Sequence, residues 1–227
     1  MNRLLACAAA AFAVGAPLVQ AQEAAQPQRA QAAAPNPMII ALQGLQVAVL
    51  ANPDGGIASV QSEEGDPAIV VFLTPGAAQA QLAPLEDQSM NIRIVDLGRL
   101  LLDWKGAIIF QGSQAEIANA RELTPEVGDF MAPVFFVTSG SLEVQLQTAE
   151  GPVTPVMTSY SDAQALSEKL AGSDETASDP VNIIPIEFAT FLQAIEDHGQ
   201  DVGYRFFTHP ETVIAINQSQ RAAAGGQ

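Results

Sequence analysis

A chain of 227 residues, 48% of them hydrophobic, is long enough to bury a sizeable core and is not disordered throughout. Only 15% of the residues are charged, and the balance of 9 basic against 25 acidic side chains leaves a net charge of −16. That sign excludes phosphate-rich surfaces as natural partners, so neither nucleic acid nor anionic lipid fits this chain.

Residues 1–21 read as a secretory signal peptide: Arg3 supplies the positive charge, Leu4 to Val14 the apolar run, and Val19-Gln20-Ala21 the small-residue cleavage site. The run is too short to span a bilayer, and no later segment is long and apolar enough, so no membrane insertion is expected. The expected compartment is the periplasm. Cys7 is the single cysteine, and Leu4-Leu5-Ala6-Cys7 superficially matches an acylation box. Most of the apolar region follows Cys7 rather than preceding it, which is the wrong layout for a lipoprotein. Cleavage after Ala21 leaves no thiol for disulfides, redox chemistry or metal ligation.

Residues 22–37 form a leader of Ala, Gln and Pro with nothing to bury. A strand over Leu45 to Leu50 turns at Asn52-Pro53-Asp54-Gly55-Gly56 into a second over Ile57 to Gln61. Ala68 to Leu73 is a continuous apolar strand, and Thr74-Pro75 then starts a helix. Asn91 to Val95 is a strand that passes into a short helix at Asp96, and Ala107 to Phe110 is the next strand. Ser113 and Glu116 have capping-box spacing for the helix that follows.

Thr124 to Asp129 punctuates the chain, and the scheme then repeats. Pro133 to Thr138 and Leu142 to Gln147 read as a hairpin, Val153 to Met157 as a strand, and Ser159 to Leu170 as a helix. A polar loop, Ala171 to Asp179, precedes the Val181 strand and the Glu187 helix. The strand Tyr204 to Phe207 leads into a last helix behind Thr208-His209-Pro210-Glu211, again with T-x-x-E spacing.

The two stretches around Asn91 and Asn182 superimpose as sequence: Asp96 meets Glu187, Leu97 meets Phe188, and Leu100-Leu101 meets Phe191-Leu192. Ile108-Ile109-Phe110 meets Arg205-Phe206-Phe207 farther on. Self-similarity at about 90 residues is too long for a solenoid. The expected fold class is therefore α/β, two pseudo-symmetric repeated halves, each a mixed β-sheet packed with helices. The halves are placed at 38–128 and 129–221, with a tail at 222–227.

Chemistry is scarce. His198 and His209 are the only imidazoles, and neither has the companion ligands a metal site needs. No nucleophile elbow, dinucleotide fingerprint or P-loop is present. Asp96 and Glu187 read as carboxylates at helix starts rather than as a catalytic pair. No catalytic residue, cofactor or metal is expected, and the chain reads as a non-enzyme. The alternative enzyme reading is a periplasmic hydrolase that gathers Asp162, Glu187 or His209 in one cleft. A third reading is a structural partner of an envelope complex.

The apolar excess remains. Aromatic residues concentrate in the second half, and two readings stand: core, or an apolar groove that holds another polypeptide. Phe135, Phe188 and Phe191 are the candidate groove residues.

Several stretches together resemble the Tic-twenty-two family, the soluble intermembrane-space component of chloroplast protein import and its periplasmic bacterial relatives. They are Pro133-Val134-Phe135-Phe136-Val137, Ser159 to Leu166, Val181 to Leu192, and Phe206-Phe207 followed by Pro210 to Ala215. The resemblance spans Met38 to Arg221. It implies two α/β halves with apolar pockets and a chaperone-like role in outer-membrane protein biogenesis or transport. It also implies partners: unfolded or outer-membrane polypeptides, and an Omp85-type assembly protein. The strongly acidic balance and the loop from Ala171 to Asp179 depart from that pattern.

Overall fold

The computed structural model describes residues 36–61, 65–84, 89–149, 151–172, 179–198 and 203–225, with the side chain of His198 outside that set. The signal peptide and all but the last two leader residues lie outside the described residues, as do residues 173–178 of the acidic loop.

The first sheet is built from β1 (Gln46–Ala51), β2 (Ser59–Gln61), β3 (Pro67–Phe72), β4 (Asn91–Asp96) and β5 (Ala107–Gln111). The second comprises β6 (Pro133–Ser139), β7 (Leu142–Glu143), β8 (Leu146–Thr148), β9 (Gly151–Met157), β10 (Val181–Glu187) and β11 (Tyr204–Phe207). Their central order is the same: β4-β1-β3-β5 in one, β10-β6-β9-β11 in the other. The sense of pairing agrees too. The last pair in each sheet is parallel and the other neighbours are antiparallel.

Two prolines mark matched positions. Pro67 starts β3 opposite Gln61 of β2, and Pro152, near the start of β9, lies opposite Gln147 of β8. A proline is tolerated there because a strand start need not donate to the ladder. The expected hairpin after β6 is corrected at this point. Leu142–Glu143 pairs with β6 and Val144 N–H adds one bond to Val137 C=O; the strand then ends, and β8 crosses to pair with β9.

Seven helices are described: α1 (Pro37–Leu42), α2 (Pro75–Leu82), α3 (Leu97–Asp103), α4 (Gln114–Leu123), α5 (Tyr160–Ala171), α6 (Phe188–His198) and α7 (Pro210–Gly225). Side-chain oxygens start all of the first five. Asn36, Thr74, Asp96, Ser113 and Ser159 accept N–H groups from Met38, Ala77, Arg99, Glu116 and Asp162, which satisfies donors the helix itself cannot pair. α1 was not expected. Asn36 caps it and Pro37 takes its first position, inside the stretch read as leader. α7 likewise runs on through Gly225, into the stretch placed in the tail at 222–227.

The alternation of strand faces divides the interior into three. Val47, Val49, Ile69, Val71 and Phe110 of the first sheet share one core with Val134, Val156 and Phe206 of the second, together with α1, α3 and α6. On the opposite face of the first sheet, Ala48 and Phe72 pack with Ala77 and Ala78 of α2. On that of the second, Phe135, Val137 and Met157 pack with Ala120 of α4 and Ala163 of α5. The helix that follows the last strand of each sheet thus leaves that sheet. α4 packs on β6, β10 and α5, while α7 packs on β1 and α2.

Candidate functional site

Phe135, Phe188 and Phe191 are interior residues, at 0%, 0% and 6% exposure, so the groove expected at them does not open there. The physical reason is that both faces of the second sheet are covered. Phe135 belongs to the core under α4 and α5, and the other two belong to the shared core. Phe188 lies edge-on between the two sheets, 4.7 Å from Phe110 and 5.2 Å from Phe206. Phe191 continues the chain of rings to Phe206 at 5.9 Å and Tyr204 at 4.9 Å. Edge-to-face contacts of this kind add to the burial of large rings. They are the weld of the molecule, not its docking surface.

Open concavity lies instead along β11. One hollow, with a volume of about 530 Å³, runs between Pro37, Ile40 and Ala41 of α1 and the starts of β9 and β11. A second, of about 380 Å³, continues past Leu146 and Thr148 to Phe207 and Thr208. Gln43, Val153 and Arg205 line both, which makes them one groove. Ile40 and Phe207 are 46% and 41% exposed beside it. A third hollow of about 250 Å³ lies between Val127, Phe130, Pro185, Ile186 and Thr190.

The groove also offers backbone. Gly203 accepts from Thr154 N–H at 2.7 Å and Phe207 accepts from the Thr158 hydroxyl at 2.9 Å. In a parallel ladder alternate residues face alternate sides, so Tyr204 and Phe206 turn their main-chain groups away from β9. Thr208 fixes the far end of the strand: its hydroxyl donates to Gly44 C=O at 3.2 Å and accepts from Gln46 N–H at 2.9 Å.

Titratable groups gather at a different place, where the starts of α4, α5 and α7 meet. Glu116, 8% exposed, does not close a capping box on its own helix. Ser113 Oγ accepts Glu116 N–H at 3.2 Å, but the carboxylate reaches across to Tyr160 N–H at 2.9 Å and His209 Nε2 at 3.3 Å. Nδ1 of that ring accepts Glu211 N–H at 3.2 Å, so Nε2 carries the proton and donates to Glu116. Asp162 lies in the same field. Burial holds its carboxyl above the ordinary range, His209 works against that, and the charge of Glu116 adds to it.

The helix-start reading of Asp96 and Glu187 holds in position and differs in partner. Asp96 accepts from Arg99 N–H and Gly44 N–H, both at 2.8 Å, whereas Glu187 accepts from Met131 and Ala132 N–H ahead of β6. Of the three residues named for a hydrolase, Asp162 therefore lies within electrostatic reach of His209, and Glu187 is directed elsewhere. Among the described residues no serine hydroxyl bonds to His209, and no group of three or more His, Cys, Asp or Glu could hold a metal ion. No described helix is long and apolar enough to cross a membrane.

No family model and no curated protein sequence matches the chain. Solved structures do. Tic22 from Anabaena, described as a protein of protein transport, superimposes with a TM-score of 0.61 at 18% identity, over 80% of this chain and 96% of its own. Tic22 from Plasmodium falciparum does so with a TM-score of 0.60 at 15% identity, over 82% and 98%. The expectation drawn from the sequence is met at the level of architecture: this mixed α/β chain has the fold of the Tic22 proteins.

Proposed function

We propose that this chain serves protein transport by holding unfolded polypeptide segments in the groove between α1 and the β9–β11 edge. The observation that carries the reading is the groove itself, with Ile40 and Phe207 exposed along a strand whose outer main-chain groups face away from the sheet. Apolar contacts beside main-chain groups that face away from the sheet suit an extended segment laid against a sheet edge. The fold shared with Tic22 proteins, one of them described as acting in protein transport, supports the same class of role. The proposed clients are outer-membrane polypeptides in the periplasm, with an Omp85-type assembly protein as the receiving partner.

The test is the aggregation of a denatured outer-membrane barrel protein on dilution, followed by light scattering. The full-length mature protein suppresses scattering, and Ile40→Asp and Phe207→Asp lose most of that effect while keeping the parent's melting temperature. If several-fold excess of the parent suppresses nothing, or both variants suppress as well as it does, the reading is wrong.

A further inference from the structure

Ala107-Ile108-Ile109-Phe110-Gln111 carries no charge, in a chain whose net charge is −16. These residues form β5, an edge of the first sheet. The other three outer strands are guarded: β4 by Arg93 and Asp96, β10 by Pro185 and Glu187, and β11 by Arg205 with α1 beside it. Charges and prolines on an edge discourage pairing with another chain. β5 has neither, and β3 is the one described element in extensive contact with it.

The main chain of β5 is open on its outer side. Gln111 C=O accepts Leu73 N–H at 2.9 Å, toward β3, whereas Gly112 N–H points the other way, to Met131 C=O at 2.7 Å. Alternate residues of a parallel pair face alternate sides, so Ile108 and Phe110 turn their N–H and C=O groups outward. No described residue bonds to them there. Their side chains pack into the shared core, while Ile109, 36% exposed, stands on the opposite face. None of the three hollows is lined by a residue of β5. A loose segment takes its specificity from side-chain pockets, so a flat edge without them suits the edge of another sheet better.

We propose that β5 is a self-association edge, pairing antiparallel with β5 of a second copy about a twofold axis. Centred on Ile109, the pairing sets Ile108 opposite Phe110 of the second copy and Phe110 opposite its Ile108, each pair exchanging both main-chain bonds. The two Ile109 side chains meet across the axis, and Ala107 meets Gln111, so no charge opposes a like charge. The same pairing on β11 would set Arg205 against itself. Beyond the edge the two acidic surfaces repel, with a screening length of about 8 Å at physiological salt, so added salt tightens the dimer. A twofold contact of this kind closes at two copies. It lies apart from the groove and does not depend on what the groove binds.

Sedimentation velocity on the full-length mature protein, from about 5 to about 500 μM, covers the affinities a small contact supports. The parent shows a monomer–dimer equilibrium that shifts toward dimer as salt is raised. Ile109→Lys weakens it about fivefold or more, the worth of one cross-strand pair, whereas Val60→Lys, 47% exposed on β2 of the same sheet, leaves it unchanged. Hydrogen exchange on the parent needs no variant and decides the matter if Ile109→Lys does not fold. The Ile108 and Phe110 amides gain protection as concentration rises, while the Ile109 amide, bonded to β3, does not change. A monomer at the highest concentration in high salt, or a dimer in which those two amides gain no protection, overturns the proposal. So does a monomeric chain that protects them only when an unfolded barrel polypeptide is added.

Discussion

Glu211 sets a carboxylate oxygen 2.6 Å from the backbone N–H of Gly76, 135 residues earlier in the chain. Glu116 does the corresponding thing in the other direction, reaching Tyr160 N–H at the start of α5. α7 therefore lends a carboxylate to the start of α2, and α4 lends one to the start of α5, where each meets both a donor the helix cannot pair and the positive end of the helix dipole.

Removing that loan has a predictable cost. Glu211→Ala loses about 1 kcal/mol in urea denaturation, the usual worth of a helix cap. Gly76→Ala is close to neutral in the parent. Alanine favours the helix by about 1 kcal/mol over glycine, but its Cβ would stand 2.7 Å from Glu211 Oε1 and push the carboxylate away. In the Glu211→Ala background the same change stabilises by about 1 kcal/mol, so the pair couples by roughly that amount. Strict additivity would show that the contact does not exist in solution.

The ring chain makes a second prediction. Phe188 is fully buried between Phe110 and Phe206, so Phe188→Ala costs about 3–5 kcal/mol by chemical denaturation. Phe207, a few residues along from Phe191's partner Tyr204, is 41% exposed, and Phe207→Ala changes stability by less than about 0.5 kcal/mol. Similar losses from both would contradict this division between core and groove wall.

Much of this was legible beforehand, and the failures have physical causes. Caps at Thr74 and Ser113 could be read because a cap is a local bond, settled within a turn of helix. The destinations of Glu116 and Glu211 could not, since a T-x-x-E or S-x-x-E spacing says nothing about a helix that arrives from elsewhere. The groove residues were misplaced because an aromatic strand reads alike whether one face is covered or both. Matching Phe110 to Phe207 by hydrophobicity was one residue off. The ladders set Phe72 opposite Gln111 and Met157 opposite Phe207, which makes Phe206 the counterpart of Phe110. In a strand, one residue is the difference between inside and outside. The Asn36-Pro37 cap of α1 was visible in principle, but it was hidden by the low-complexity composition before it.

Tyr204 gives a pH prediction. Its hydroxyl donates to Glu143 at 3.0 Å, and burial, reinforced by that bond and by the carboxylate's charge, pushes the phenol up to about 12. The stabilising share of the neutral phenol is complete below 10.0, the ordinary value, and is lost as pH rises toward about 12. In a spectrophotometric titration of the chain's two tyrosines, one ionises late, and Glu143→Gln brings it earlier. Two superimposed tyrosine titrations would contradict the contact.

Gly106 tests the close approach of β5 to β3. A Cβ there would lie 2.4 Å from Pro67 O and 2.8 Å from the Trp104 ring, so the backbone itself must move. Gly106→Ala is expected to cost about 1–3 kcal/mol, with faster hydrogen exchange concentrated along the β3–β5 pairing. Gly128, whose Cβ position is open, tolerates the same change.

The exchange of α4 and α7 between sheets also limits how the molecule can be divided. Cut at the turn before β6, the front piece keeps a helix shaped for a sheet it no longer has and exposes the face of β1 that α7 had covered. Neither fragment can be whole by itself, but two fragments built on this plan could complete one another by trading their last helices. A protein of half the length with this design would cover its sheet only by exchanging last helices with a second copy.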